Sequence, residues 1–168
     1  MIYLIWIILN GIMVIYFLYL LFGFIAIGKR IFKPRFKNVS IAFMLIGIIQ
    51  ILSAEETKDH NRITISEKYK QHNKVKTIVL DENLVFDINM SLTYSDVNNE
   101  YVPIESHSSM TGFISGYEWE LKTVQAESIS QNNYGKYEVL GILKWNFFGI
   151  NIYSQSKSFE GIIEYSEL

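Results

Sequence analysis

The residues best suited to chemistry in this chain lie in Glu105-Ser106-His107-Ser108-Ser109, where an acid, an imidazole and three hydroxyls fall within five positions. A serine activated by an imidazole, itself oriented by a carboxylate, is the machinery of acyl transfer. That machinery is assembled from separate parts of a fold, whereas neighbours on one extended segment point apart. Glu118 and Glu120 form a second candidate. On one strand face they would lie about 7 Å apart, close to the spacing of a general acid and base across a glycosidic bond. Lys122 follows on the same face, and a solvated charged surface is the simpler reading.

His60 and His72 are too far apart for a helical metal pair and read as loop histidines. The chain has no cysteine, which removes thiolate nucleophiles, disulfides and cysteine-ligated metals. It also lacks the G-x-S-x-G, H-E-x-x-H, phosphate-loop and dinucleotide motifs. No cofactor or metal is implied. The expectation is a binding protein, with a membrane-bound extracytoplasmic hydrolase using His107 and a nearby acid as the alternative.

The elements that would position these residues follow from charge and hydropathy. Residues 1–54 hold five bases and no acid, while 55–168 hold all 17 acids and ten bases, a balance of about −7. Such a split points to two compartments. An acidic domain repels phosphate backbones, so nucleic acid is not an expected partner.

Met1–Gly28 carries no charged side chain and exceeds the ~18 apolar residues that mark a transmembrane helix. It lacks the basic start of a signal peptide and is expected to persist as a span, with Tyr3 and Trp6 as interfacial aromatics. Lys29–Lys37 then holds five cations and no acid. Positive charge collects on cytoplasmic loops, so this loop is expected inside. Val39–Ala54 is a shorter apolar run of 16 residues and is expected to return across the bilayer. Asn10 and Gln50 fall at similar depths in such a hairpin, as do Gly11 and Gly47. These four are the expected interhelical contact, the amides sharing a partner and the glycines marking the crossing.

Residues 55–73 read as a linker, and 74–168 as an extracytoplasmic all-β antiparallel domain, a small barrel or sandwich. Leu84–Tyr94 alternates most cleanly, with Leu84, Phe86, Ile88, Met90, Leu92 and Tyr94 on one face. Val75–Leu80, Gly116–Ala126, Lys136–Trp145, Asn146–Tyr153 and Lys157–Ser166 supply further strands, with turns at 96–99 and 132–135. Pro103 argues for a loop or an edge over Tyr101–Ser109. The expected fold is a two-helix membrane hairpin followed by this domain. The expected role is that of a multi-pass membrane protein of the cell envelope, both termini outside, of accessory or immunity type. Its partners would be the lipid bilayer and another membrane or envelope protein. Phe147, Phe148, Tyr134 and His107 are the candidate binding surface.

Overall fold

In the computed structural model, which describes residues 1–52, 61–66, 73–97, 100–129, 134–147 and 149–165, the uncharged N-terminal run is one helix, α1 (Ile2–Ile27). Its 26 residues extend ~39 Å at 1.5 Å per residue. It stops at Gly28, whose φ of 63° is open to glycine and whose N–H turns onto the Phe24 carbonyl. The chain continues as a 3-10 turn (Gly28–Ile31), and Ile31 packs so closely on Gly23 that a Cβ there would collide with it. Pro34 opens a second short turn (Pro34–Phe36), where its fixed φ suits a first helical position. Helix α2 (Lys37–Leu52) follows.

With its 3-10 extension, Ile2–Ile31 is the one helix among the described residues that is long and apolar enough to cross a membrane. The return helix α2 has 16 residues, ~24 Å, short of the ~20 residues a bilayer core needs. The expected pair of spans is thus one helix of spanning length and a shorter companion. The two touch well inside the bundle. The Tyr16 hydroxyl lies 3.0 Å from that of Ser40, and Phe17 and Leu20 are buried with Phe32 and Met44.

The rest of the described chain is antiparallel β structure in two sheets. β1 (Arg62–Thr64), β4 (Glu100–Gly112), β3 (Phe86–Val97) and β2 (Asn73–Glu82) lie side by side in that order. The second sheet runs β5 (Tyr117–Ile129), β6 (Tyr134–Phe147), β7 (Ile150–Glu164). β1 falls within the stretch 55–73 that the sequence marks as a linker. The alternation expected in β3 is the centre of the core: Phe86, Ile88, Met90, Leu92 and Tyr94 are all buried. They face Trp119, Leu121, Val139, Leu143 and Ile163 from the other sheet.

Two strand expectations are corrected. Tyr101–Ser109 is neither loop nor edge but part of β4, between β1 and β3. Pro103 is tolerated because the β3–β4 register shifts between Thr93 and Tyr94, and β1 pairs only with residues 105–107. At such an irregularity a missing N–H breaks no regular ladder bond. Asn146–Tyr153 is not one strand. The chain reverses there, Phe147 pairs with Ile150, and Gly149 takes φ 81°. β7 then runs unbroken to Glu164.

The two sheets are stitched along both sides. On one side the Asn61 side chain donates to the Trp119 carbonyl at 3.0 Å and accepts the Leu121 N–H at 2.9 Å. On the other, Lys157 of β7 meets Asp81 of β2 at 2.8 Å.

Candidate functional site

The first turns of α1 do not stand clear of the sandwich. They pack into its lower end, where β3 and β5 begin and β6 ends. Tyr3 lies 5.2 Å from Phe86, 5.9 Å from Tyr117 and 5.3 Å from Trp145, ring centre to ring centre. The Tyr117 hydroxyl donates to the Tyr3 carbonyl at 3.0 Å. Burial, and then the Tyr3 hydroxyl beside it, push the Tyr117 phenol well above its ordinary pKa and keep it a donor. Trp6 packs on Trp145 and Phe147, and its indole N–H donates to the Gly116 carbonyl at 3.2 Å. One helical turn on, Asn10 is buried at 3% exposure, and its side chain donates to the Trp6 carbonyl. Residues 3, 6 and 10 share one helical face. Gly116 receives them with φ 84°, and a Cβ there would press on the Asn10 amide.

Beside this junction lies a cavity of about 520 Å³, within the range of small-molecule sites. Ile2, Tyr3 and Trp6 line it from the helix, and Trp145, Ile152, Tyr153 and Gln155 line it from β6 and β7. Ile152 and Tyr153 remain more than half exposed. The Trp145 indole N–H is buried with no hydrogen-bond partner among the described residues. Lys157 lies against Tyr3, its ammonium 3.5 Å from the Tyr3 hydroxyl and 5.9 Å from the ring centre. Burial penalises the Lys157 charge, but the hydrogen bond and charge of Asp81, with Tyr3, outweigh it and hold its pKa above the ordinary lysine value. The cavity thus offers aromatic faces, aliphatic surface and one amide. Its lining contains no activated nucleophile. A second hollow of about 120 Å³, among Gln125, Glu127 and Lys136, is too small for such a ligand.

No protein-family model matches the chain, and no curated protein matches it. A two-domain protein of unknown function from Bacteroides thetaiotaomicron, known from a crystal structure, is similar at a TM-score of 0.42 and 12% identity, over 54% of this chain and 47% of that one. The chain therefore spans about half the length of that protein, and a likeness at this level carries no argument.

The structure divides the acyl-transfer candidates. β4 alternates, so Ser106 and Ser108 point into the core while Glu105, His107 and Ser109 share the outer face. Ser108 donates to the Asn89 carbonyl at 2.8 Å and accepts the Trp119 indole N–H at 2.9 Å, a structural role. Glu105 pairs with Arg62 at 3.1 Å. Glu118 and Glu120 are bridged by Lys144, at 2.9 and 3.1 Å, and Lys122 also pairs with Glu120. Burial raises the Glu118 pKa, but hydrogen bonds from Lys144 and Asn146 more than reverse this. Hydrogen bonds from Lys122 and Lys144 lower that of Glu120. Two carboxylates held ionised do not form an acid–base pair.

The candidate binding surface is dispersed. Phe147 packs on Trp6 at the helix end. Tyr134 opens β6 thirteen residues away, roughly 43 Å along the strand. His107 lies opposite Ser91 on the outer face of the other sheet. Phe148 and the Gln50 side chain lie outside the described residues, as do His60 and His72. Gly47 is buried, but Gly11 has nothing within 4 Å of where a Cβ would stand, so no close crossing occurs at Gly11. Sequence reasoning missed Tyr3, Trp6 and Trp145 as a joint site. The available signal was Tyr3, Trp6 and Asn10 on one face of a helix otherwise suited to lipid.

Proposed function

We propose that this chain is a membrane-anchored binding protein of the cell envelope, and that the junction cavity seats its ligand. In this reading α1 spans the bilayer, α2 returns beside it, and Lys29–Lys37 stays on the cytoplasmic side. The β domain then works outside the cytoplasm. The observation that carries the reading is the aromatic cavity between α1 and β7, open to the surface beside the exposed Ile152 and Tyr153 and holding the Gln155 amide in its wall. Concave, mostly apolar hollows with one polar group are the usual form of a small-ligand seat. The chemistry of the wall suits an apolar or aromatic group carrying an acceptor, whether a small amphiphile or a side chain of an accessory partner. The hydrolase alternative loses Ser106 and Ser108, which face away from His107, and would rest on Ser109 of the same outer face.

The test uses the full chain. With cysteine at Ser156, an exposed β7 position, an impermeant maleimide labels intact cells. The native chain has no cysteine, so there is no background. Extracted in mild detergent, the wild type retains a noncovalent adduct in native mass spectrometry, and Ile152→Asp removes it. Labelling only after lysis overturns the outward placement. Identical spectra for the two proteins overturn the ligand seat.

A further inference from the structure

Three turns meet at the end of the sandwich that α1 enters. The β2–β3 turn spans residues 83–85, the β4–β5 turn follows Gly112 to Gly116, and β6 gives way to β7 between Phe147 and Ile150. They form one cluster: the Phe113 N–H bonds the Val85 carbonyl at 2.8 Å, and the Asn146 N–H bonds the Gly116 carbonyl at 2.8 Å. Trp6 and Asn10 of α1 rest on the same Gly116.

Turns at a wet surface are polar and rich in charge. These are the reverse. No charged residue occurs in 83–85, 112–116 or 147–150, and apart from Ser115 the exposed side chains described there are apolar: Leu84 at 87%, Phe113 at 75%, Ile150 at 57% and Ile114 at 45%. The chain between the strands at the other end reads differently. Asn98-Asn99 connects β3 to β4, and Ser130-Gln131-Asn132-Asn133 connects β5 to β6. One end of the domain is built for water and the other is not.

Depth along α1 agrees. If Lys29 and Arg30 hold the inner boundary, ~30 Å of hydrocarbon takes up about 20 residues counted back from Ile27. That places the outer boundary near Ile8. Asn10 is two residues deeper, about 3 Å by the same rise, and Gly116 rests on it. Any tilt of α1 lowers the turns further. Ile5, Ile8, Leu9 and Ile12 of α1, on the side away from the docked face, are exposed as well.

We infer that the turn cluster of Leu84, Phe113, Ile114 and Ile150 is inserted in the outer leaflet of the bilayer, so that the β domain sits in the membrane surface rather than above it. This rests on the membrane reading of α1 and goes beyond it. Tyr3 and Trp6 then stand at headgroup level, where amphipathic rings are favoured.

The test places single cysteines in the full chain, each carrying the fluorophore NBD, in phosphatidylcholine vesicles doped with a shallow doxyl-labelled lipid for the rim and far-end sites and a deep one for Ile15→Cys. Phe113→Cys and Leu84→Cys are the rim sites, and each serves if the other fails to fold. Ile15→Cys reports on the span, and Lys136→Cys on the far end. The rim labels are expected to emit blue-shifted light and lose most of it to the quencher, while the Lys136→Cys label loses none. Quenching at Ile15→Cys with none at either rim site overturns the inference and leaves the span standing. Equal quenching at rim and far end overturns it too, since the domain would then lie on its side. Absence of quenching at Ile15→Cys overturns the membrane reading itself, and the inference with it.

Discussion

Replacing Trp6 by alanine tests whether the first turns of α1 belong to the sandwich core. The indole donates to the Gly116 carbonyl at 3.2 Å, a bond of about 1 kcal/mol net. Its ring packs on Trp145 at 5.7 Å and on Phe147 at 5.8 Å, each pair worth roughly 0.5–1.5 kcal/mol beyond area. Truncating a fully buried aromatic costs about 3–5 kcal/mol, and Trp6 is half-buried, so about 3 kcal/mol is expected. For a β domain of this size that lowers Tm by roughly 10 °C. The assay is thermal unfolding of the β signal by circular dichroism in detergent micelles at neutral pH. Trp6→Phe keeps a ring and loses the hydrogen bond, so it should cost about 1 kcal/mol. Ile5→Ala, on the exposed face of the same turn, should stay within about 0.5 kcal/mol of wild type. Equal effects of Trp6→Ala and Ile5→Ala would refute the reasoning, because the loss would then come from the helix and not from its docked face.

Two further substitutions probe the domain. Ser108→Ala leaves the Trp119 indole N–H and the Asn89 carbonyl without their present partner in the core, so about 2–4 kcal/mol of stability should be lost in urea titration, whereas the outer-face His107→Ala should cost far less. Comparable costs would mean that the two faces of β4 are misassigned. Lys144→Gln addresses the acid limb. The Glu118 and Glu120 pKa values are lowered in the folded chain, so their contribution is complete above the unfolded carboxylate value of about 4.3 and disappears as pH falls through the folded values. Wild type should therefore lose Tm more steeply than Lys144→Gln between about pH 5 and pH 3, the difference staying under ~1 kcal/mol because Glu118 is 49% exposed. Parallel curves would show that Lys144 does not hold these carboxylates.

The period of two made the core strand legible over Phe86–Tyr94, because a two-sheet core selects one face of each strand and hydropathy records that selection directly, but Leu84, expected on the same face, stands exposed in the turn before β3. The length and lack of charge in Met1–Gly28 did the same for α1. Pro103 misled, since one missing N–H matters only where the ladder is regular, and register is not written in local sequence. The β6–β7 reversal was hidden because its turn is apolar. Phe147, Gly149 and Ile150 carry none of the Asn, Asp or Ser content by which turns are found. The site was hidden for a related reason. Tyr3 and Trp6 have the composition of an interfacial belt, and nothing local separates a ring that meets headgroups from one that meets Trp145.

Asn10 carries the physical consequence furthest. An amide ten residues into an apolar helix needs a polar neighbourhood, and a second helix is the usual source. Here the neighbourhood is on the β domain, at Gly116 and the end of β6. The anchor and the domain therefore share one hydrophobic core, with Tyr3, Trp6 and Ile7 packed against the buried residues of both sheets. A domain on a flexible tether samples many orientations, but one that shares a core with its helix turns only as the helix turns. On the proposed membrane placement, the junction cavity is then held permanently at the bilayer surface. Its wall of Ile2, Tyr3 and Trp6 then stands at headgroup level, where an amphiphile from the bilayer and a docked partner both reach it.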